Sequence, residues 1–175
     1  MNKIRLKKEI EYFCGENPPS LAIIQVGAVE ASNRYIRNKI QDCKEVGINA
    51  HHYAYGEEIT EDEFLLEVKD LCEHYTGVIV QLPLPDHIDA AKVTAAIDPI
   101  KDVDGFHPLS PYKPATPLGI MNYLQDNEIE LDGKHVVIIG RSEIVGKPLA
   151  AMMTSANATV TLCHSHTKHL SSIIQ

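Results

Sequence analysis

Short apolar runs alternate along the chain with segments of helical periodicity. Three runs in the first half, LAIIQV, INAHHYAY and GVIVQL, span residues 21–26, 48–55 and 77–82 and predict strands. Two more, HVVIIG and ATVTLC, span residues 135–140 and 158–163. Strands that alternate with helices favour a mostly parallel sheet covered by those helices. The pattern therefore predicts an α/β fold.

A proline-rich stretch separates the two groups of strands. It reads PLSPYKPATP over residues 108–117, and closely spaced prolines disfavour both helix and sheet interiors. We expect one α/β lobe over residues 1–115 and a second, partial α/β lobe over residues 116–175. The second lobe has two predicted strands, whereas a complete mononucleotide-binding half needs at least one more.

Charge and composition narrow the possible function classes. The 175 residues are 44% apolar and 23% charged, as in ordinary globular proteins, and carry a formal net charge of −8. That charge argues against nucleic acid as a partner, because such binding needs Lys and Arg. No apolar run is long enough to span a bilayer, so we expect no membrane partner. The cysteines form no C-x-x-C pair, which favours reduced thiols and a cytoplasmic location.

The segment ASNRYIRNK, residues 31–39, is the first candidate site. We expect Ser32 to cap a helix, which places Tyr35 and Lys39 on one helix face near the carboxyl end of LAIIQV. Open α/β sheets bind ligands at that edge. Partial burial of a lysine favours its neutral, basic form, and a neighbouring phenol can orient a ring. An ordinary solvated helix face accounts for the same pair and stays open as an alternative.

Two further segments end or follow predicted strands. In GVIVQLPLP, Gln81 precedes two prolines that end the strand, which leaves an amide at the strand's carboxyl end. It either orients a ligand or caps loose backbone groups. In IKDVDGFHP, Asp102 and Asp104 bracket a turn at Gly105. A carboxylate there can accept hydrogen bonds from a ring N–H, although Asp-Gly is also an ordinary turn dipeptide.

The segment GRSEIVGKP resembles a phosphate-binding turn without the G-x-G-x-x-G spacing. Gly140 ends a strand and Gly146 begins a helix, so backbone N–H groups and a helix N-terminus can face an anion. The next strand ends at His164 and Ser165, where a dinucleotide-binding fold reads the adenosine ribose. An acid there would favour NAD. These residues, with Arg141, instead suit a 2′-phosphate.

Metal binding is the alternative interpretation of CHSHTKH. Its possible ligands are Cys163, His164, His166 and His169, but their spacing fits no familiar zinc pattern. We therefore predict no metal, and expect Thr167 to cap the final helix.

Together these segments resemble the bifunctional methylenetetrahydrofolate dehydrogenase/methenyltetrahydrofolate cyclohydrolase family. VGAVEASNRYIRNK is similar to its substrate-helix motif, GVIVQLPLP to its second signature and DPIKDVDGFHP to its third. GRSEIVGKP and ATVTLCHSHT are similar to its NADP site. The motifs occur in the family's order from about residue 21 to the end of the chain, and the ordered set is highly specific.

The resemblance implies a three-layer α/β lobe that binds folate and carries the catalytic residues, followed by a partial Rossmann-like NADP-binding lobe. Lys39 would be the base or proton shuttle of the cyclohydrolase step, and Gln81 would position it. Tyr35 would hold the aromatic portion of the folate, and Asp104 would anchor the pterin. Contacts to NADP would come from Gly140, Arg141, Ser142, Ile144, Gly146, His164 and Ser165.

The family's activity is the NADP-dependent oxidation of 5,10-methylenetetrahydrofolate and hydrolysis of the methenyl product to 10-formyltetrahydrofolate. The resemblance thus implies one-carbon metabolism, with a link to purine biosynthesis, and a cytoplasmic homodimer that binds tetrahydrofolate derivatives.

Departures from the family pattern support a second hypothesis. The loop before PATP is reduced to LSPYK, Ala115 replaces a cysteine, and the family continues past Gln175 with strands near the nicotinamide. The chain would then be a shortened, non-catalytic relative that binds folate or serves as an assembly partner. A different NADP oxidoreductase, such as a shikimate-type dehydrogenase, does not explain why all four folate-lobe residues occur together.

Overall fold

A computed structural model of the protein describes residues 3–174. The chain divides into two compact units. The first unit comprises residues 3–103 with 107–111, and the second comprises residues 104–106 with 112–174.

The first unit is built on a three-stranded parallel sheet with the strand order β2-β1-β3. Its elements are α1 (Lys3–Cys14), β1 (Ser20–Val26), α2 (Glu30–Val46), β2 (Asn49–Tyr55), α3 (Glu61–His74), β3 (Gly77–Val80) and α4 (Ala90–Ala96). The predicted strands and their parallel arrangement are confirmed.

The central strand β1 is buried on both faces. Ala22, Ile24 and Val26 belong to a core that includes residues of α3 and α4. Ile23 and Gln25 point to the opposite face, because successive strand residues alternate, and Gln25 contacts α2 there. The unit is therefore a three-layer α/β arrangement, as the resemblance implies.

The start of α2 differs from the prediction. Ser32 was expected as the helix cap, but α2 begins at Glu30 and Val29 is the capping residue. Glu30 lies in the first turn, where its negative charge interacts favourably with the positive end of the helix dipole and stabilises the helix. Ser32 therefore lies inside the helix, and its buried hydroxyl makes a tertiary hydrogen bond described below.

The second unit contains a two-stranded parallel sheet. Its elements are α5 (Ala115–Asp126), β4 (His135–Ile139), α6 (Gly146–Ser155), β5 (Thr159–Cys163) and α7 (Leu170–Ile173). A small apolar core forms between the sheet and α6. The β4–α6–β5 order confirms the predicted partial Rossmann-like lobe, and the predicted lobe boundary between residues 115 and 116 falls in the first turn of α5.

Among residues 3–174, no helix combines the length and apolar character that crossing a membrane requires.

Candidate active site

Lys39 and Gln81 meet where α2 passes the carboxyl end of β3. The Lys39 Nζ donates a hydrogen bond of 3.4 Å to Gln81 Oε1. The Gln81 backbone N–H donates to the Ile24 carbonyl at 2.8 Å, so pairing with β1 continues one residue past β3. Both side chains are half-buried. The structure thus places a lysine and an amide together at the edge where parallel sheets bind ligands.

The Leu82 carbonyl fixes the orientation of the Gln81 amide. It accepts a hydrogen bond from Gln81 Nε2 at 2.9 Å and another from the Ser32 hydroxyl at 3.3 Å. Since the amide nitrogen is directed to Leu82, the amide oxygen faces Lys39. Ser32 and Lys39 both lie on α2, so two contacts join this helix to the Gln81 segment, whose Leu82–Pro83 peptide bond is cis.

Tyr35 lies one helical turn before Lys39, on the same face of α2. The residue is 63% exposed, so its phenol ring is open to a ligand. Residues four apart on a helix are neighbours, so a ligand that lies on the phenol ring can also reach the Lys39 amine.

Cys43 lies one turn beyond Lys39 and is buried. Burial raises the pKa of the Cys43 thiol, and the Asp42 carboxylate adds to this, while Lys39 acts in the opposite direction. A thiol with a raised pKa stays protonated near neutral pH and is a poor nucleophile. Cys43 is therefore not a candidate nucleophile of this helix face.

Asp102 closes the turn that carries Asp104. Its side chain is 1% exposed, and its Oδ2 accepts a hydrogen bond of 2.7 Å from the His107 backbone N–H. Ser110 donates to the Asp102 carbonyl at 3.0 Å. Gly105 has a φ of +70°, and a Cβ there would lie 2.7 Å from the Tyr112 carbonyl oxygen. Asp104 is half-buried and belongs to the second unit.

Replacement of Asp102 by Ala should lower the free energy of unfolding by about 1–3 kcal/mol, because a buried N–H loses its acceptor. Asp102→Asn keeps an acceptor oxygen and should cost less. Urea unfolding followed by circular dichroism measures both. The exposed Asp86→Ala is the control and should stay within about 0.5 kcal/mol of the parent. Equal stabilities of all four proteins would contradict this role of Asp102.

Gly140 and Gly146 bound a compact turn between β4 and α6. A Cβ at Gly146 would lie 2.1 Å from the Gly140 carbonyl oxygen, so only glycine permits this approach. Gly140 has a φ of +128°, with no atom within 4 Å of where its Cβ would lie. The Ser142 hydroxyl accepts hydrogen bonds from the Val145 and Gly146 N–H groups at 3.2 and 3.3 Å. Open space therefore adjoins the turn backbone at the carboxyl end of β4.

The end of β5 reaches the same edge of the second sheet, since Ile139 pairs with Cys163 and the Gly140 N–H donates to the Cys163 carbonyl at 2.8 Å. Arg141 and Ser165 are exposed there, and Ile144 is half-buried. The candidate nucleotide residues of this unit therefore lie at one edge.

His164 follows β5 directly. Burial lowers the pKa of His164 below its ordinary value, and the positive charge of Arg141 and the proximity of His166 add to this. The backbone N–H of His164 donates a hydrogen bond to the Thr167 hydroxyl at 2.8 Å. The prediction that Thr167 caps the final helix is wrong: the residue before α7 is His169, and the Thr167 side chain closes the His164 turn instead.

Within the described range, no group of three or more His, Cys, Asp or Glu side chains is arranged to hold a metal ion.

Sequence patterns did not identify two polar residues next to the Lys39 site. Gln25 is 3% exposed, and its Nε2 donates to Asn33 Oδ1 at 2.8 Å. The available signal was an amide in the otherwise apolar strand LAIIQV, since a buried polar group needs a hydrogen-bond partner. That signal could not indicate which partner it would be.

The fold and the two edges define a two-unit α/β protein, with a lysine–amide pair in the first unit and a dinucleotide-type turn in the second. Residues 2–104 match the family model described as the tetrahydrofolate dehydrogenase/cyclohydrolase catalytic domain. Residues 114–175 match the NAD(P)-binding domain of the same description. The chain therefore belongs to the tetrahydrofolate dehydrogenase/cyclohydrolase family.

Individual relatives agree with this assignment. The bifunctional protein FolD of Agathobacter rectalis is 49% identical over 164 residues, which cover 87% of this chain and 59% of the relative. The FolD structure from Campylobacter jejuni superposes with a TM-score of 0.91 at 42% identity, covering 97% of this chain and 65% of that one. The Trypanosoma brucei enzyme, solved with NADP and an inhibitor, gives 0.91 at 30% identity, covering 98% and 63%. The chain thus spans less than two thirds of the length of these relatives.

Proposed function

We propose that this chain carries out the NADP-dependent oxidation of 5,10-methylenetetrahydrofolate and the hydrolysis of the 5,10-methenyl product to 10-formyltetrahydrofolate. The observation that carries the proposal is the 3.4 Å hydrogen bond between Lys39 Nζ and Gln81 Oε1, next to the exposed ring of Tyr35. Family membership supports the same reaction class.

In the hydrolysis, Lys39 acts as the general base. A water oxygen attacks the cationic methenyl carbon, and the water's proton passes to the Lys39 amine. The carbinol hydroxyl then loses its proton to form the formyl C=O while the bond between this carbon and N5 breaks, N5 takes up that proton, and the formyl group remains on N10. A neutral amine suits this step because an ammonium would repel the cationic substrate.

Three further residues orient the reactants. Gln81 holds the Lys39 amine through its amide oxygen, whose direction the Leu82 carbonyl fixes. Tyr35 provides an exposed aromatic surface for the folate ring system. Asp104 offers a carboxylate to the N–H groups of the pterin.

The edge of the second unit fits NADP. Gly140 leaves open space beside the turn, and α6 directs its N-terminus to the same edge, which favours a diphosphate. Arg141, His164 and Ser165 provide the positive charge and donors that a 2′-phosphate requires. Ser142, Ile144 and Gly146 shape the turn. NADP, when bound, accepts the hydride from the methylene carbon.

Binding of NADP should weaken as pH rises from about 5 to 8, because a 2′-phosphate favours the protonated imidazole of His164. The lowered pKa of His164 in the unliganded protein means that binding takes up a proton across this range. Titration calorimetry in two buffers of different ionisation enthalpy measures that uptake. NAD, which lacks the 2′-phosphate, and the His164→Asn variant are the controls, and both should take up fewer protons. Identical proton uptake for NADP and NAD would contradict the assignment.

We also propose that the chain works as a homodimer in the cytoplasm and that its formyl product supplies one-carbon reactions, including purine biosynthesis. Support for a dimer is the edge position of β2, whose strand order leaves it with one sheet neighbour among the described residues. Light scattering of the purified chain tests it, and a monomeric mass across concentrations would contradict it.

The proposed reaction is tested by incubating the purified chain with 5,10-methylenetetrahydrofolate and NADP. NADPH and 10-formyltetrahydrofolate should appear together. The alternative is a non-catalytic relative, which forms neither product. If that relative binds folate, calorimetry should show folate binding without turnover; if it serves only as an assembly partner, calorimetry should show no folate binding. A longer FolD relative run in parallel shows that the assay itself works.

A further inference from the structure

A buried amide links three elements of the first unit close to the Lys39 site. Gln25 is the penultimate residue of β1, and its side chain is almost wholly enclosed at 3% exposure. Its Nε2 donates to Asn33 Oδ1 on α2 at 2.8 Å, and its Oε1 pairs with His52 Nε2 on β2 at 3.0 Å. The amide therefore joins β1 and β2 to the first turn of α2.

The directions of these bonds follow from the orientation of the Gln25 amide. Because the Gln25 amide nitrogen donates to Asn33, its oxygen must be the acceptor for His52. His52 Nε2 accordingly carries a hydrogen in this arrangement. Both sides of a buried amide are thus satisfied, and loss of either partner would leave an uncompensated polar group.

The first turn of α2 is therefore held on two sides. Asn33 joins it to β1 through Gln25, and the adjacent Ser32 joins it to the segment beyond β3 through the Leu82 carbonyl. Lys39 lies six residues further along this helix, about 9 Å along its axis. The hydrogen bond from Lys39 to Gln81 is near the outer limit of hydrogen-bonding distance, so its length is sensitive to small shifts of α2.

We propose that Gln25 and Asn33 are positioning residues that hold α2 in the register at which Lys39 reaches Gln81. They act through the helix and do not touch the reacting atoms. This inference rests on the proposed cyclohydrolase function for its kinetic consequence, but its structural consequence can be measured on the protein alone.

The kinetic test uses hydrolysis of 5,10-methenyltetrahydrofolate, followed by its absorbance, in three variants. Asn33→Ala removes the acceptor for Gln25, and kcat should fall about tenfold with KM within about twofold, as for a misplaced catalytic group. Asn33→Asp keeps an acceptor oxygen and should restore kcat to within about threefold of the parent. Tyr53→Phe is the matched control: it removes the Tyr53–Tyr75 hydroxyl contact of 2.6 Å on the same sheet and should leave kcat unchanged.

The second measurement needs no substrate. Reductive methylation with formaldehyde and a borohydride reagent, mapped by mass spectrometry, reports the accessibility of each lysine amine. Lys44, which is exposed on the same helix, serves as the internal reference. In Asn33→Ala, the ratio of labelling at Lys39 to labelling at Lys44 should rise by about twofold or more. It should stay at the parent value in Asn33→Asp and Tyr53→Phe.

The hydrolysis rate tests the proposed cyclohydrolase function, and the lysine labelling tests the positioning role of Gln25 and Asn33 independently of it. A parent chain that hydrolyses no substrate overturns the proposed function, while a raised labelling ratio in Asn33→Ala still supports the positioning role. An unchanged ratio in Asn33→Ala overturns the positioning role. So does an unchanged kcat in Asn33→Ala, or a kcat in Asn33→Asp as low as in Asn33→Ala.

Discussion

Replacement of Lys39 by Met should lower kcat for the hydrolysis of 5,10-methenyltetrahydrofolate by at least about 100-fold, the usual contribution of a positioned general base. Met has nearly the length of Lys and keeps its apolar stem, so it removes the amine with little change in packing. Lys39 is half-buried and Gln81 is its partner, so the variant also leaves the Gln81 amide oxygen without its donor. The absorbance of the methenyl group gives the rate directly.

The matched control is Lys44→Met, which changes an exposed lysine on the same helix and should leave kcat unchanged. Folate binding by calorimetry should survive in Lys39→Met, because the exposed ring of Tyr35 remains on the same helix face. Loss of folding, seen by circular dichroism, would instead indicate a structural role for Lys39. Full activity in a folded Lys39→Met protein would refute the general-base assignment.

Replacement of Gly146 by Ala should destabilise the second unit by about 1–3 kcal/mol, the range for forced overpacking. The added Cβ would lie 2.1 Å from the Gly140 carbonyl oxygen and 2.9 Å from the Arg141 Cα, and both are backbone atoms that cannot rotate away. The turn must therefore open, which should also abolish measurable NADP binding.

Hydrogen exchange of α6 measures the local loss of stability in Gly146→Ala, and calorimetry measures NADP binding. Gly119→Ala is the matched control, because no atom lies within 4 Å of a Cβ at this position in α5. It should stabilise its helix by about 0.5–1 kcal/mol. If α6 exchanges hydrogen as in the parent and NADP binds with the parent's affinity in Gly146→Ala, the turn does not require glycine at this position.

Much of the fold could be predicted because its local patterns agree with its packing. The apolar runs mark the five strands. Thr60 and Glu63 form a capping box at the start of α3, with the Thr60 hydroxyl accepting from the Glu63 backbone N–H at 3.3 Å, as their spacing of three residues in the sequence indicates. The proximity of Gln81 and Lys39 follows from one rule, that carboxyl ends of parallel strands share an edge.

Two predicted helix caps were wrong for a common reason. Ser32 and Thr167 are residue types that cap helices, but each hydroxyl makes a different bond in the fold. The Ser32 hydroxyl donates to the Leu82 carbonyl, 50 residues away in sequence, and the Thr167 hydroxyl accepts from the backbone N–H of His164. A short hydroxyl side chain satisfies whichever backbone group lies nearest, and tertiary structure decides which one that is.

The network around Gln25 could not be predicted for a related reason. A buried amide in a strand requires partners, but three elements must assemble before Asn33 and His52 approach it. Helix periodicity places Tyr35 and Lys39 on one face of α2, yet it does not fix how far the helix slides along the sheet. Side-chain contacts that depend on that register are decided by packing.

The Lys39–Gln81 pair should perform the cyclohydrolase step in a chain that also carries out the NADP-dependent oxidation. The most direct measurement incubates the chain with 5,10-methylenetetrahydrofolate and NADP and records NADPH and 10-formyltetrahydrofolate in the same reaction, for the parent and for Lys39→Met. The parent should give both products. Lys39→Met should give NADPH and accumulate the methenyl intermediate. Absence of both products from the folded parent, or equal formyl product from parent and variant, would contradict it.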